Sequence, residues 1–151
     1  MLAICLALPL VGCVPIEANG QPLEMTVQDD HLLFRWCGDE PLTGSRIDIS
    51  YALIRGTIRD DHTAAEGTGP FSLTRGDEFS NSTPPPNVTY TASKTIPFSS
   101  PKTLVFVSIG PDAKTFDFSA AYEVLDRFAK LREGYWMDPT GKLSRTACTT
   151  N

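Results

Sequence analysis

The tripeptide Asp-Asp-His occurs twice in this chain of 151 residues, at positions 29–31 and 60–62. Two carboxylates beside an imidazole could bind a divalent cation, and Zn²⁺ or Mn²⁺ would suit such mixed nitrogen and oxygen ligands. However, Asp29 and Asp30 directly precede a predicted strand that opens at His31, and acidic residues are favoured in turns for local reasons. The turn interpretation is preferred, so no metal site and no cofactor are predicted.

Catalytic residues are not predicted either. The sequence contains no Gly-x-Ser-x-Gly motif, which holds the nucleophile in many hydrolases. A Ser-His-Asp site could be assembled from the serines and the two histidines, but composition alone allows this in most proteins. The protein is therefore expected to be non-enzymatic.

The chain begins with a short apolar run that ends in Leu10-Val11-Gly12-Cys13. Residues 2–11 are too few to cross a bilayer as a helix, which needs about 20 apolar residues, but they suit the core of a secretory signal. The last four residues resemble the lipobox of bacterial lipoproteins. That resemblance implies a signal peptide over residues 1–12 and a lipid, with palmitate among its acyl chains, on Cys13. The sequence departs from this pattern in one respect, because signals normally begin with Lys or Arg and no charged residue precedes Cys13. An uncleaved ordinary secretory signal and a buried apolar strand are the alternatives.

The lipobox interpretation also sorts the four cysteines. Cys5 would leave with the signal and Cys13 would carry the lipid, so Cys37 and Cys148 remain as an even pair in an oxidising compartment. We expect a disulfide between these two residues, and two free buried thiols are the alternative.

The expected location is the cell envelope, on the extracytoplasmic side of a membrane and held there by the lipid. Residues 13–22 contain two prolines and a glycine and are predicted to form the lipidated tether, followed by one domain over 23–151. The net charge of −5 argues against nucleic acid, which requires a basic surface. The membrane is thus one predicted partner, and an unidentified envelope protein or glycan is the other.

Most of the domain is predicted to be β-strand, because apolar residues alternate with polar ones in several segments and residues 103–109 are nearly all apolar, as expected for a central strand. The predicted strands are 23–27, 31–37, 46–54, 88–96, 103–109 and 115–124. A short helical turn is expected to follow, ending at Arg132, and two long loops are expected at 56–70 and 75–87. Many strands with Gly and Pro turns and little helix favour an antiparallel β-sandwich.

Three segments of the sequence resemble small actinobacterial lipoproteins with Ig-like domains. They are the strand end at 36–39, the later 134–136 and the terminal Cys148. This resemblance implies an Ig-like sandwich and no particular activity. Because Trp36 is on the predicted core face, Cys37 points the other way. The disulfide is then expected to hold the C-terminal tail across the outer face or edge of a sheet.

Tyr135 and Trp136 are the best candidates for a binding surface. Aromatic side chains on an exposed tail could stack on a sugar or anchor a protein partner. The alternative, which the sequence favours, is that both side chains fold back onto the sandwich.

Three functions compete on these grounds. The first is a lipid-anchored envelope protein that acts as a non-enzymatic binding or structural module. The second is a secreted β-sandwich enzyme or enzyme inhibitor that uses the loops 56–70 and 75–87. The third is a subunit of a larger envelope complex, for which an exposed apolar patch is expected.

Overall fold

The computed structural model describes residues 22–97, 102–112, 115–124 and 126–149. The predicted signal peptide, Cys13 and the predicted tether up to residue 21 lie outside the described residues. The strands are β1 (Leu23–Gln28), β2 (His31–Trp36), β3 (Leu42–Arg55), β4 (Ile58–Leu73), β5 (Glu78–Ser80), β6 (Thr89–Ser93), β7 (Thr103–Gly110), β8 (Phe118–Val124), β9 (Trp136–Met137) and β10 (Leu143–Ser144). A five-residue helix, α1 (Phe128–Arg132), lies between β8 and β9.

The strands form two antiparallel five-stranded sheets that pack as a β-sandwich. Sheet A has the order β10-β9-β1-β2-β5, and sheet B has the order β6-β4-β3-β7-β8. The rings of Trp36 and Phe118 meet between the sheets at 5.6 Å. The hydroxyl of Tyr122 donates a hydrogen bond of 2.7 Å to the carbonyl oxygen of Leu23. The prediction of a mainly β, antiparallel sandwich is confirmed.

Alternation along the strands builds the core. In β2, Leu32, Phe34 and Trp36 are buried while their neighbours are half-exposed, because successive side chains point to opposite faces of a sheet. The same alternation holds through β7 and β8. The fully buried side chains include Leu23, Met25, Leu32, Phe34, Ile47, Ile49, Phe79, Ile109 and Tyr122.

The prediction of a loop over 56–70 is wrong. Residues 58–73 form β4, a strand of 16 residues that pairs with β3 over almost its whole length. The sequence hides this strand because its first residues are exposed on both faces and do not alternate. Pro70 is accommodated because the β3–β4 register shifts between Gly44 and Arg46, opposite Pro70, and bulges tolerate a proline that lacks an N–H.

The second predicted loop, 75–87, contains a short strand, β5, and otherwise lacks regular structure. Its proline run lies against the sandwich, because Pro85 is buried. Asn81 fixes the loop: its side-chain oxygen accepts from the Leu32 N–H at 2.8 Å, and its side-chain nitrogen donates to the Lys94 carbonyl at 3.1 Å.

The two ends of the sandwich carry different features. The connections 37–41 and 74–77 lie at the end where β1 begins, and there Cys37 is bonded to Cys148 with an S–S distance of 2.06 Å. We call this the disulfide end. The turns at 29–30 and 56–57 lie at the opposite end, which we call the turn end.

Candidate functional site

Trp136 is held on the outer face of sheet A. It is half-buried, whereas its neighbour Met137 is fully buried in the core. The guanidinium of Arg35 lies over the indole, 4.5 Å from the ring centroid, and Arg35 also forms an ion pair with Glu78. A cation over the face of a tryptophan is attracted by the ring quadrupole. One face of Trp136 is therefore occupied by a side chain of the same sheet.

Tyr135 is engaged by the domain itself. Arg145 lies over its ring at 4.7 Å, and the ammonium of Lys130 lies 5.5 Å from the same centroid. The hydroxyl of Tyr135 accepts a hydrogen bond of 3.0 Å from Nε of Arg145. Both predicted aromatic residues are thus half-buried, and Trp136 is the one that lines a groove.

A groove of about 460 Å³ runs beside Trp136 at the turn end of sheet A. We call it the Trp136 groove, and it is lined by Thr26, Val27, Gln28, Asp29, Asp30, Arg132, Gly134 and Trp136. Its volume falls within the usual range of small-ligand sites, about 300–1,000 Å³. An indole beside an amide and two carboxylates can stack on a sugar ring and bond its hydroxyls.

Local structure fixes the walls of this groove. Asp29 and Asp30 have φ values of 50° and 59°. Positive φ at both residues is what a two-residue hairpin turn needs in order to match the right-handed twist of the strands that it joins. The Asp30 carboxylate forms an ion pair of 3.1 Å with Arg132. The buried hydroxyl of Thr26 lies 3.1 Å from the carbonyl oxygen of Leu131 and 2.7 Å from that of Tyr135. These contacts hold the segment after α1 against β1.

The two Asp-Asp-His tripeptides occupy different structural positions. Residues 29–31 form the β1–β2 turn and the first residue of β2, whereas residues 60–62 lie within β4. The His62 ring stacks on Tyr51 at 4.9 Å, and its Nε2 lies 2.9 Å from Asp60. Among the described residues, neither tripeptide belongs to a cluster of three metal-ligating side chains.

The disulfide end holds a polar cluster that the sequence did not indicate. The Cys148 N–H donates to the carboxylate of Glu24 at 2.8 Å. The guanidinium of Arg75 donates to the carbonyl oxygens of Cys37 at 2.6 Å and Cys148 at 2.9 Å. Burial raises the pKa of Glu24, and the hydrogen bond from Cys148 opposes this shift. Glu24, Cys37 and Cys148 bring three ligand atoms within 4.8 Å of one another, but both sulfur atoms are committed to the disulfide.

A second groove, of about 440 Å³, lies on the outer face of sheet B. Its floor includes Ser50 of β3, Phe106 and Ser108 of β7, and Ser119 of β8, and Arg59 and Asp61 form its rim. Sequence reasoning missed this groove because it joins outward positions from four strands whose pairing the sequence does not reveal. The outward positions of single strands were the only available signal.

The N-glycosylation pattern Asn-x-Ser/Thr occurs twice in the sequence, at residues 81–83 and 87–89, and the two sites are not equivalent in the structure. Asn81 is only 1% exposed, and its amide oxygen and nitrogen each form a hydrogen bond within the domain, whereas Asn87 is exposed in a turn with a φ of 68°. Only Asn87 could be reached by a modifying enzyme without unfolding.

Comparison with known proteins returned no matching family model, no matching curated protein and no matching solved structure. Within the described ranges, no helix combines the length and apolar character needed to span a bilayer.

Proposed function

We propose that this chain is a lipid-anchored cell-envelope protein whose β-sandwich is a non-enzymatic binding module, and that the Trp136 groove binds an envelope glycan. The observation that carries the proposal is the position of this groove relative to the predicted anchor. The tether would enter the domain at Pro22, whose carbonyl accepts a hydrogen bond of 2.6 Å from the Cys37 N–H at the disulfide end. The groove lies at the other end of β1.

The length of β1 sets the distance between anchor and groove. Its six residues span about 20 Å at roughly 3.3 Å per residue. A domain held by lipid on Cys13 would therefore carry the groove on the side that faces away from the tether. Such a module needs no large hydrophobic interface with a subunit, and Ile58 and Phe116 are the only large apolar side chains that are exposed among the described residues.

The groove's chemistry favours a glycan over a protein. Trp136 offers an indole edge and face, while Gln28 and Asp29 offer an amide and a carboxylate that can bond vicinal hydroxyls. The net charge of −5 disfavours anionic polymers. A neutral or amino-sugar glycan suits this combination.

We also propose that the sandwich is Ig-like, as the sequence led us to expect. Two antiparallel five-stranded sheets support it, as does the burial of Trp36 in the core at the strand end before Cys37. The resemblance to small actinobacterial lipoproteins is proposed on this basis.

The alternative of a secreted enzyme or inhibitor relied on two long loops. It has less support, because residues 58–73 form β4 and Pro85 is buried rather than presented on a projecting loop.

Two experiments test the proposal separately. Blocking lipoprotein signal peptidase, or substituting Cys13→Ala, should leave a longer precursor that keeps residues 1–12; unchanged electrophoretic mobility would contradict the lipobox and its anchor. For the groove, binding of the purified protein to isolated cell-wall glycan should fall at least about tenfold with Trp136→Ala, the loss of a central aromatic contact. Phe116→Ala is the matched control, since Phe116 is an exposed aromatic residue outside the groove. Equal loss in both variants would count against the groove.

A further inference from the structure

We propose that two copies of this chain associate through the free edge of β8, so that sheet B continues from one copy into the other. This inference is independent of the proposed function, because it uses neither the anchor nor the Trp136 groove.

The four edge strands of the two sheets differ in how well they are protected. Sheet A ends in β10 with two residues and β5 with three, and sheet B ends on one side in β6 with five. The pairing of β6 with β4 shifts in register between Glu66 and Gly67. Short strands and irregular pairing are devices that prevent edge-to-edge association.

Strand β8 has none of these protective devices. It has seven residues, contains no proline and pairs with β7 in unbroken register. Its only charged side chain is that of Glu123. Among the described residues, β7 is the sole strand that pairs with β8. Unpaired N–H and C=O groups on such an edge are a template for another strand.

One antiparallel register makes β8 complementary to itself. When Ala121 lies on the two-fold axis, Ser119 of each copy faces Glu123 of the other, and Ala120 faces Tyr122. A hydroxyl then meets a carboxylate on the outer face, and a small side chain meets a large one on the inner face. A register centred on Tyr122 would instead place two bulky rings directly opposite each other. Cross-strand pairs of this kind stabilise sheets.

The hydrogen-bonding capacity of these side chains is compatible with that register. The hydroxyl of Ser119 lies 3.3 Å from that of Ser108, from which it can accept a hydrogen bond while donating its own proton elsewhere. One oxygen of Glu123 lies 3.2 Å from the ammonium of Lys102. The second oxygen can then accept from Ser119 of the other copy. In a dimer with two-fold symmetry the same surface of each copy forms the interface, so its donors and acceptors must be complementary to one another.

Sedimentation velocity of the purified, unlipidated protein across a concentration series tests the proposal. We expect a reversible monomer–dimer equilibrium that Ala121→Lys abolishes over the same range, because two lysines would meet on the axis. Ala121 points away from the core, since its neighbours Ala120 and Tyr122 are buried. The matched control is Thr89→Lys, which adds the same charge to an exposed site on β6 and should leave the dimer intact.

A charge exchange tests the register itself. Ser119→Glu alone would place two carboxylates opposite each other and should weaken the dimer, whereas adding Glu123→Ser should restore it. Circular dichroism of each variant checks that the monomer is folded. A chain that stays monomeric at every concentration would overturn the proposal, and so would a dimer that Ala121→Lys leaves unchanged.

Discussion

Removing the disulfide should be the most destabilising change that leaves the core untouched. Cys37 and Cys148 are separated by 111 residues, so their bond closes a loop that contains almost the whole domain. The perturbation we consider is the double substitution Cys37→Ala and Cys148→Ala. It removes the covalent link but keeps the contacts that Arg75 and Glu24 make with the backbone of residue 148.

The magnitude follows from the length of the loop. In the chain-entropy model, cross-linking residues this far apart restricts the unfolded state by about 4.8 kcal/mol at 25 °C. Total stability of a domain is commonly about 5–15 kcal/mol, so this loss is a large fraction of it. With a urea dependence of about 1–3 kcal/mol per molar, the unfolding midpoint should fall by about 2–5 M.

Urea unfolding followed by tryptophan fluorescence measures this effect, because the chain has two tryptophans, one of them buried in the core. The wild-type protein unfolded in the presence of a reducing dithiol should match the double variant. Its urea dependence should also rise, since the unlinked unfolded chain exposes more surface. A loss below about 1 kcal/mol in both would refute the entropic argument and show that the hydrogen bonds of the tail carry its attachment.

Four further predictions concern single residues. Tyr122→Phe should lower the free energy of unfolding by about 1–3 kcal/mol, measured by heat or urea, because it leaves the buried carbonyl of Leu23 without its donor. No change would mean that another group donates to that carbonyl. Thr103→Val should raise stability by about 1 kcal/mol, because the Thr103 hydroxyl is buried without a hydrogen-bond partner among the described residues; a loss of stability would reveal a missed partner. Burial raises the pKa of Glu24 above its ordinary value of 4.5, so the contribution of Glu24 to stability is greatest at acidic pH and is lost as the pH rises through the raised pKa. Glu24→Gln should therefore flatten the pH profile of the melting temperature above pH 4.5, and an unchanged profile would argue against this assignment. When the protein is expressed in a eukaryotic secretory host, peptide mass analysis should find glycan at Asn87 and not at Asn81. Modification of Asn81 would show that the enzyme acts on the chain before this loop has folded.

The strands that the sequence predicted share one property: one face is in the core and the other is not. Residues 31–36 and 103–109 alternate in burial, and the sequence marks the first by alternation and the second by a nearly continuous apolar run. Strand β4 was missed because residues 58–63 have water on both sides of the backbone, so no pattern of hydrophobicity records their pairing. A strand held mainly by its neighbours' hydrogen bonds leaves little trace in its own sequence.

The candidate site, like the set of strands, could be predicted from the sequence only in part. Trp136 was found because a tryptophan in a tail is conspicuous, but its groove partners Gln28 and Asp29 come from a turn more than a hundred residues earlier. Their meeting depends on β1 pairing with β9 at Met25 and Met137. No spacing within the sequence encodes that contact, so the groove could be recognised only from the sheet order.

The contacts at the disulfide end bring two distant parts of the chain together. Residue 22 bonds to the backbone of Cys37, and Cys37 is bonded to residue 148, so the first and last described segments lie side by side. A short linker between them would close the domain into a ring, and domains of this kind tolerate new termini at exposed turns. Gly56 provides such a turn, with no atom within 4 Å of its Cβ position. The domain is thus suited to circular permutation, or to insertion into a surface loop of another protein.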